Sequence, residues 1–338
     1  EPTETELEII DFLNRNFDDV ILLVNANNVM ELGWIHDYEN INAVINFPGA
    51  GRTGTYGLGY MLTGYDKDDN EISASGHLVD TIVYDNFSSP AMQNMGDYKY
   101  SGTTRNDYYY VNYAEGIYVG YKYYETRYED AVLNQGKAGD YDYAATVQYP
   151  FGYGLSYTTF DWSDFNVTEP DADGNMTVSL TVTNTGDRRG KDVVQVYVQA
   201  PYTEYDKRYG VEKASVSLVG FAKTGYIEKG GHEDVEITIN LEDFVSYDAN
   251  GAKTYILEDG TYYITAASDA HKALNNVLAK RGVSSEKLVA AGGLNNSENA
   301  PQTAFVAEYV QTEFDATTYS VGADGEKITN RFDYAVIE

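Results

Sequence analysis

The feature that most constrains this chain is a change of hydrophobic period near Phe160. Beyond it, apolar side chains fall on alternate positions in Val178-Ser-Leu-Thr-Val-Thr183, Val194-Gln-Val-Tyr-Val198, Val235-Glu-Ile-Thr-Ile239 and Tyr262-Tyr-Ile-Thr265. A period of two places like residues on one face of a strand. The turn signals Asn184-Thr-Gly186, Lys229-Gly-Gly231 and Asp259-Gly260 separate these runs, so the spacing predicts an antiparallel β-sandwich over 158–269.

Before Phe160 the pattern differs. Leu7, Ile10, Leu13 and Phe17 recur at steps of three and four, with Thr3 and Glu6 spaced as a capping box, which predicts an amphipathic helix. Val20–Val24 is a continuous apolar run of the kind a parallel strand buried on both faces requires. A second run, Ile41–Phe47, precedes a Pro48-Gly49-Ala-Gly51 turn and a helical stretch through Leu58, Met61 and Leu62. This order is the grammar of an open α/β layer. Residues 73–148 read as loop-like and rich in tyrosine, a stretch expected to be functional or partner-facing. Residues 270–281 are helical by spacing, and 284–291 form a second short helix stopped by Gly292-Gly293. The expected class is therefore α/β plus all-β: an open α/β-sandwich unit over 1–157, a β-sandwich of immunoglobulin or fibronectin type over 158–269, and a helical and irregular tail over 270–338.

Charge and composition exclude several functions. With 53 acidic residues against 23 Lys and Arg the net charge is −30, a field that repels phosphate backbones, anionic lipid and acidic substrates. No nucleic-acid partner is expected, and a neutral ligand fits better. The absence of cysteine excludes thiolate catalysis and cysteine-based zinc sites. His36, His77, His232 and His271 lack ligand spacing, so they read as surface or packing residues and no metal is expected. The glycines between Gly49 and Gly59 have no Gly-Lys-Ser/Thr ending, so no phosphate-bearing cofactor is expected. Gly154-Leu-Ser156-Tyr lacks the second glycine of a nucleophile elbow.

One segment says more. Tyr149-Pro-Phe-Gly-Tyr-Gly-Leu-Ser-Tyr-Thr-Thr-Phe160 resembles, nearly letter for letter, the junction between the α/β-sandwich and fibronectin type III-like domains of glycoside hydrolase family 3, the family of β-glucosidases. Ala114-Glu-Gly-Ile-Tyr-Val-Gly-Tyr-Lys-Tyr-Tyr-Glu125 is similar to the segment ahead of that junction. Ser75-Gly-His-Leu-Val-Asp-Thr81 is similar to the family's "PSGRLP-T" stretch, with His77 in place of Arg. Val20–Trp34 resembles the family's strand ending at a core tryptophan. Val193–Tyr197, Leu218–Thr224 and Leu257–Tyr262 match the sandwich, so the resemblance covers residues 5–268.

The resemblance implies retaining hydrolysis by two carboxylates, a nucleophile and an acid/base. In the family the nucleophile is an Asp on a TIM-type barrel, and the acid/base is commonly a Glu in a loop before the helix matching Leu7–Phe17. Both positions are expected outside these 338 residues, which alone are expected to be inactive. Glu313-Phe-Asp-Ala, Ile328-Thr-Asn330 and Phe332-Asp333 resemble the linker of members with reversed domain order, placing the expected barrel after Glu338.

Within the chain, Glu115 and Glu125 are the fallback catalytic carboxylates, and Tyr109, Tyr113 and Tyr118 are candidates for substrate proximity through sugar stacking. Pro150, Phe151, Gly152, Tyr153, Gly154, Leu155, Ser156 and Tyr157 read as a structural corner with aromatic plugs. The expected partners are a neutral β-linked oligosaccharide or glycoside, the barrel, and a second copy in a homodimer. The competing reading is a stand-alone carbohydrate-binding or adhesion module.

Overall fold

The computed structural model describes residues 2–95, 110, 111, 113–293 and 300–329. Helix α1 (Glu4–Asn16) begins with the Thr3/Glu6 capping box that the sequence predicts. Strand β1 (Val20–Val24) lies parallel to β2 (Ile41–Asn46), and α2 (Gly54–Thr63) follows, closed by Gly64 at a left-handed φ of 75°. Val24, Leu32, Ile35 and Ile82 form a small core here, with Trp34 packed half-buried against it. The expectation that β1 is buried on both faces needs correction, since Ile21 is 54% and Leu23 42% exposed. Among the described residues the sheet has only two strands, so one face stays open.

The tyrosine-rich stretch is more regular than its composition suggests. It contains β3 (Ile82–Val83), α3 (Pro90–Gln93), α4 (Tyr121–Leu133), α5 (Tyr143–Thr146) and β4 (Val147–Tyr149), with β3 antiparallel to β4. Helix α4 corrects the loop reading: Tyr124, Glu125, Tyr128, Glu129 and Val132 are its buried face, at helical spacing. Tyrosines and carboxylates occupy positions that Leu or Ile usually mark, which hid the period.

The β-sandwich forms as expected. One sheet has the order β5-β6-β9, built from β5 (Phe160–Val167), β6 (Asn175–Asn184) and β9 (His232–Asn240). The other has the order β13-β12-β7-β8, from β7 (Val193–Gln199), β8 (Ser217–Lys223), β12 (Gly260–Ala267) and β13 (Val306–Gln311). Between β7 and β8 lies α6 (Glu204–Tyr209), and β10 (Ser246–Asp248) pairs with β11 (Thr254–Ile256). Met176, Val178, Leu180 and Val182 point inward at every second position of β6 and meet Val194, Val196, Val198 and Ile264 from the facing sheet.

Residues beyond 269 enter both layers. Helix α7 (Ala270–Lys280) buries Ala270, Ala273, Leu274 and Leu278 in a second core with Tyr124, Tyr128, Val132, Tyr143 and Tyr197, and α8 (Ser285–Ala290) adds Leu288. Strand β13 pairs antiparallel with β12 from Gly260↔Gln311 to Thr265↔Val306. The second core covers the outer face of β7, where Gln195, Tyr197 and Gln199 are as buried as the valines between them.

Candidate functional site

The corner at Pro150–Tyr157 joins the two layers. A turn brings the Tyr153 N–H to the Pro150 carbonyl at 3.2 Å, while Gly152 N–H donates to Leu78 O (2.9 Å) and Leu78 N–H to Tyr153 O (2.8 Å). Gly152 has φ +87°, and a side chain there would collide with the Gln195 amide, so glycine is required twice over. Its carbonyl accepts from His77 Nδ1 (2.5 Å) and Gln195 Nε2 (3.1 Å). Gln195 also donates to Ser268 O (2.6 Å) and accepts from Tyr197 Oη (2.6 Å). Phe151 stacks on Tyr121 at 4.6 Å, and Tyr149 on Tyr153 at 5.2 Å. Any Cβ on Gly154 would strike the Gly76 carbonyl. Leu155 is exposed, Ser156 Oγ accepts from Thr158 N–H at 3.4 Å, and Tyr157 donates to Met61 O at 3.2 Å.

Beside the corner lies a cavity of about 980 Å³ whose walls include Tyr153, Trp162, Asp192, Asp269 and His271. Trp162 Nε1 donates to Asp192 Oδ2 at 2.6 Å. Burial raises the Asp192 carboxyl above its ordinary range, against the lowering effect of that bond. Aromatic faces and hydrogen-bonding groups together are the lining a neutral polar ligand uses. Among the described residues no cluster of three His, Asp or Glu side chains is arranged to hold a metal ion.

His271 and Tyr143, in one wall, belong to a buried polar cluster. His271 Nδ1 lies 2.9 Å from Glu125 Oε2, and its Nε2 lies 2.8 Å from Gly293 O. Tyr143 Oη donates to Glu125 Oε1 at 2.6 Å, and the Tyr143 ring stacks on the imidazole with centroids 3.7 Å apart. Tyr128 Oη donates to Asn275 Oδ1 (2.7 Å), and Asn275 Nδ2 to Gly293 O (3.3 Å). Burial and the Glu125 charge push the Tyr143 phenol well above its usual range. Burial alone would lower the His271 pKa, but the Glu125 carboxylate, the Gly293 carbonyl and Asp269 together outweigh it and the net shift is upward.

The candidate residues are thus dispersed. Glu125 is fully buried within this cluster, whereas half-buried Glu115 accepts from Asn94 Nδ2 at 3.4 Å. Tyr113 is 80% exposed. Tyr118 donates to Lys213 O at 3.4 Å, and burial, then the Glu212 charge, push its phenol up to about 12. Tyr109 lies outside the described residues. Sequence reading missed the linkage of His271 to Glu125, because 146 residues separate the partners. The available signal was a pair of polar residues, His271 and Asn275, on the same helix face as Leu274 and Leu278.

An α/β layer packed on a fibronectin type III-like sandwich, with a glycine corner between them, defines a class of two-layered architectures. Residues 192–270 match the fibronectin type III-like domain family. The chain is 31% identical over 275 residues to a β-glucosidase of Ruminococcus albus, covering 80% of this chain and 25% of that enzyme. Among solved structures, a β-glucosidase from Paenibacillus barengoltzii superposes with a TM-score of 0.63 at 30% identity, over 79% of this chain and 26% of that one. β-Glucosidase 3B from Thermotoga neapolitana, in complex with α-D-glucose, gives 0.64 at 25% identity, over 93% and 34%. The chain is thus similar, over most of its own length, to one part of these β-glucosidases, and it carries a fibronectin type III-like domain. It spans about a quarter to a third of the length of these relatives.

Proposed function

We propose that this chain is the non-barrel portion of a retaining β-glucosidase-like glycoside hydrolase that cleaves terminal β-linked sugars, and that its own role is architectural. The observation that carries the reading is the coverage: the match spans 80% of this chain but 25% of the Ruminococcus albus enzyme. The burial of Glu125 supports it, because its side chain is fully buried with both carboxylate oxygens engaged by Tyr143 and His271, whereas a retaining pair must flank the scissile bond. The corner supports it as well, since its glycines and aromatics serve packing. The neutral-sugar substrate agrees with the charge of −30.

The test is hydrolysis of p-nitrophenyl β-glycosides by the 338-residue chain and by a protein that also carries a family barrel. The expected result is turnover by the second alone. Robust turnover by the chain alone, lost in Glu115→Gln, would overturn the reading. Saturable sugar binding by the chain with no gain of activity in the longer protein would favour a stand-alone carbohydrate-binding module.

A further inference from the structure

The cluster around His271 is constrained by its hydrogen-bond inventory. A neutral imidazole offers one donor and one acceptor, whereas the imidazolium offers two donors. Here Nδ1 faces the Glu125 carboxylate and Nε2 faces the Gly293 carbonyl. The carbonyl can only accept. Glu125 Oε1 already accepts from Tyr143 Oη, so both oxygens of this buried carboxyl are engaged. We propose that His271 and Glu125 form a buried imidazolium–carboxylate latch that clamps α7 and the turn at Gly293 onto α4, and that loss of its proton in alkaline solution releases this junction.

The placement of the pair explains why one proton would matter. Glu125 comes from α4, His271 from the first turn of α7, Tyr143 from α5, and Gly293 from the turn after α8. Among the described residues, the other titratable or charged groups around the pair are Tyr121 and Tyr128 from α4, Tyr141 and Tyr143 from the α5 segment, Tyr197 from β7, and Asp269 and Lys272 beside His271 itself. Lys272 lies 3.5 Å from Asp269 and is one-third exposed, so it does not replace the imidazolium. When the proton leaves, one ring nitrogen turns a lone pair toward an acceptor, and Glu125 becomes a buried charge without a counter-ion, the arrangement that destabilises most. Because the folded imidazole holds its proton more tightly than the unfolded one, this contribution is complete below the unfolded pKa of about 6.5 and is lost as pH rises through the folded value. Gly293 is suited to its role, since a side chain there would overlap the Tyr128 hydroxyl and push its carbonyl off the ring.

The experiment is two-dimensional ¹H–¹⁵N spectroscopy of the histidine side chains in the 338-residue chain. Single His36→Gln, His77→Gln and His232→Gln variants assign the His271 signal by elimination. The expected result is a His271 ring with both nitrogens protonated at about pH 7, above the ordinary imidazole value. In Glu125→Gln the same ring should carry one proton at neutral pH, since burial then acts without the carboxylate. Hydrogen exchange of the α7 amides in the unaltered chain should accelerate beyond its intrinsic alkaline rise as the ring deprotonates. A singly protonated ring in the unaltered chain at about pH 7 would overturn the proposal, and this reading needs no variant of the cluster to fold. A ring still doubly protonated in Glu125→Gln, or α7 exchange indifferent to its titration, would do the same.

Discussion

Ile264 and Ile21 are the same residue type, each in a strand, with opposite surroundings: Ile264 in β12 is fully buried, while Ile21 in β1 is 54% exposed. The sandwich supplies its own second layer, so β6 and β12 face each other and exclude water without help from elsewhere. The β1/β2 pair is parallel, and parallel sheets are covered on both faces when complete. Two isoleucines of identical intrinsic propensity thus differ in what lies above them, and burial rather than that preference sets their contribution.

The comparison sharpens under substitution. The largest loss is expected at Lys213, a buried cation that pairs with Asp206 (2.9 Å) and Glu258 beside the sandwich. Lys213→Met leaves two buried carboxylates without a cation and should cost about 3–5 kcal/mol. Urea unfolding should show a larger deficit at about pH 8 than at about pH 5, because burial raises the Glu258 carboxyl and the lower pH lets it take up a proton and shed its uncompensated charge. Equal deficits at both would contradict the assignment. Next, Ile264→Ala should cost about 2–5 kcal/mol through lost burial and the cavity left behind, measurable as a lower urea midpoint at unchanged slope. Gly152→Ala tests the corner between the layers. The left-handed φ and the Gln195 collision predict a loss of about 1–3 kcal/mol, and a neutral outcome would mean that the turn relaxes.

Two smaller effects complete the series. Burial pushes Asp315 up, but donors from Thr317 and Thr318 outweigh it and hold the carboxyl at about 2. Its contribution is therefore present above the unfolded value of about 3.9 and fades as pH falls toward 2. Asp315→Asn should flatten the acid limb of stability against pH, and an unchanged limb would count against this. Ile21→Ala should shift stability by less than about 0.5 kcal/mol. A cost comparable to that of Ile264→Ala would show that the open face of β1 is covered in solution.

How much of this could be read from the chain depended on how each region marks its buried positions. The sandwich strands use Val, Ile, Leu and Met on one face, and their alternation gave both the elements and the core. The capping box located α1 to within a residue. Helix α4 escaped because its buried face is Tyr124, Glu125, Tyr128 and Glu129, residue types that a hydrophobicity count treats as surface. Gln195, Tyr197 and Gln199 alternate with the valines of β7 as a solvated face would, yet each is buried with its polar tip bonded. The junction segment was legible as a twelve-residue resemblance, whereas the pairing of His271 with Glu125 depends on a tertiary approach that no local period encodes.

The doubly buried β7 also bears on how such a chain can change over generations. Gln195 bonds the corner and the start of α7, and Gln199 meets Glu129 of α4 at 3.2 Å and Arg281 at 2.6 Å. A recombination event that exchanged the sandwich alone would bring in a β7 whose outer face was fitted to another protein's helices. The two layers are therefore expected to travel between genes as a single cassette, with residues 195, 197 and 199 co-varying with α4 and α7 more tightly than with their own strand neighbours.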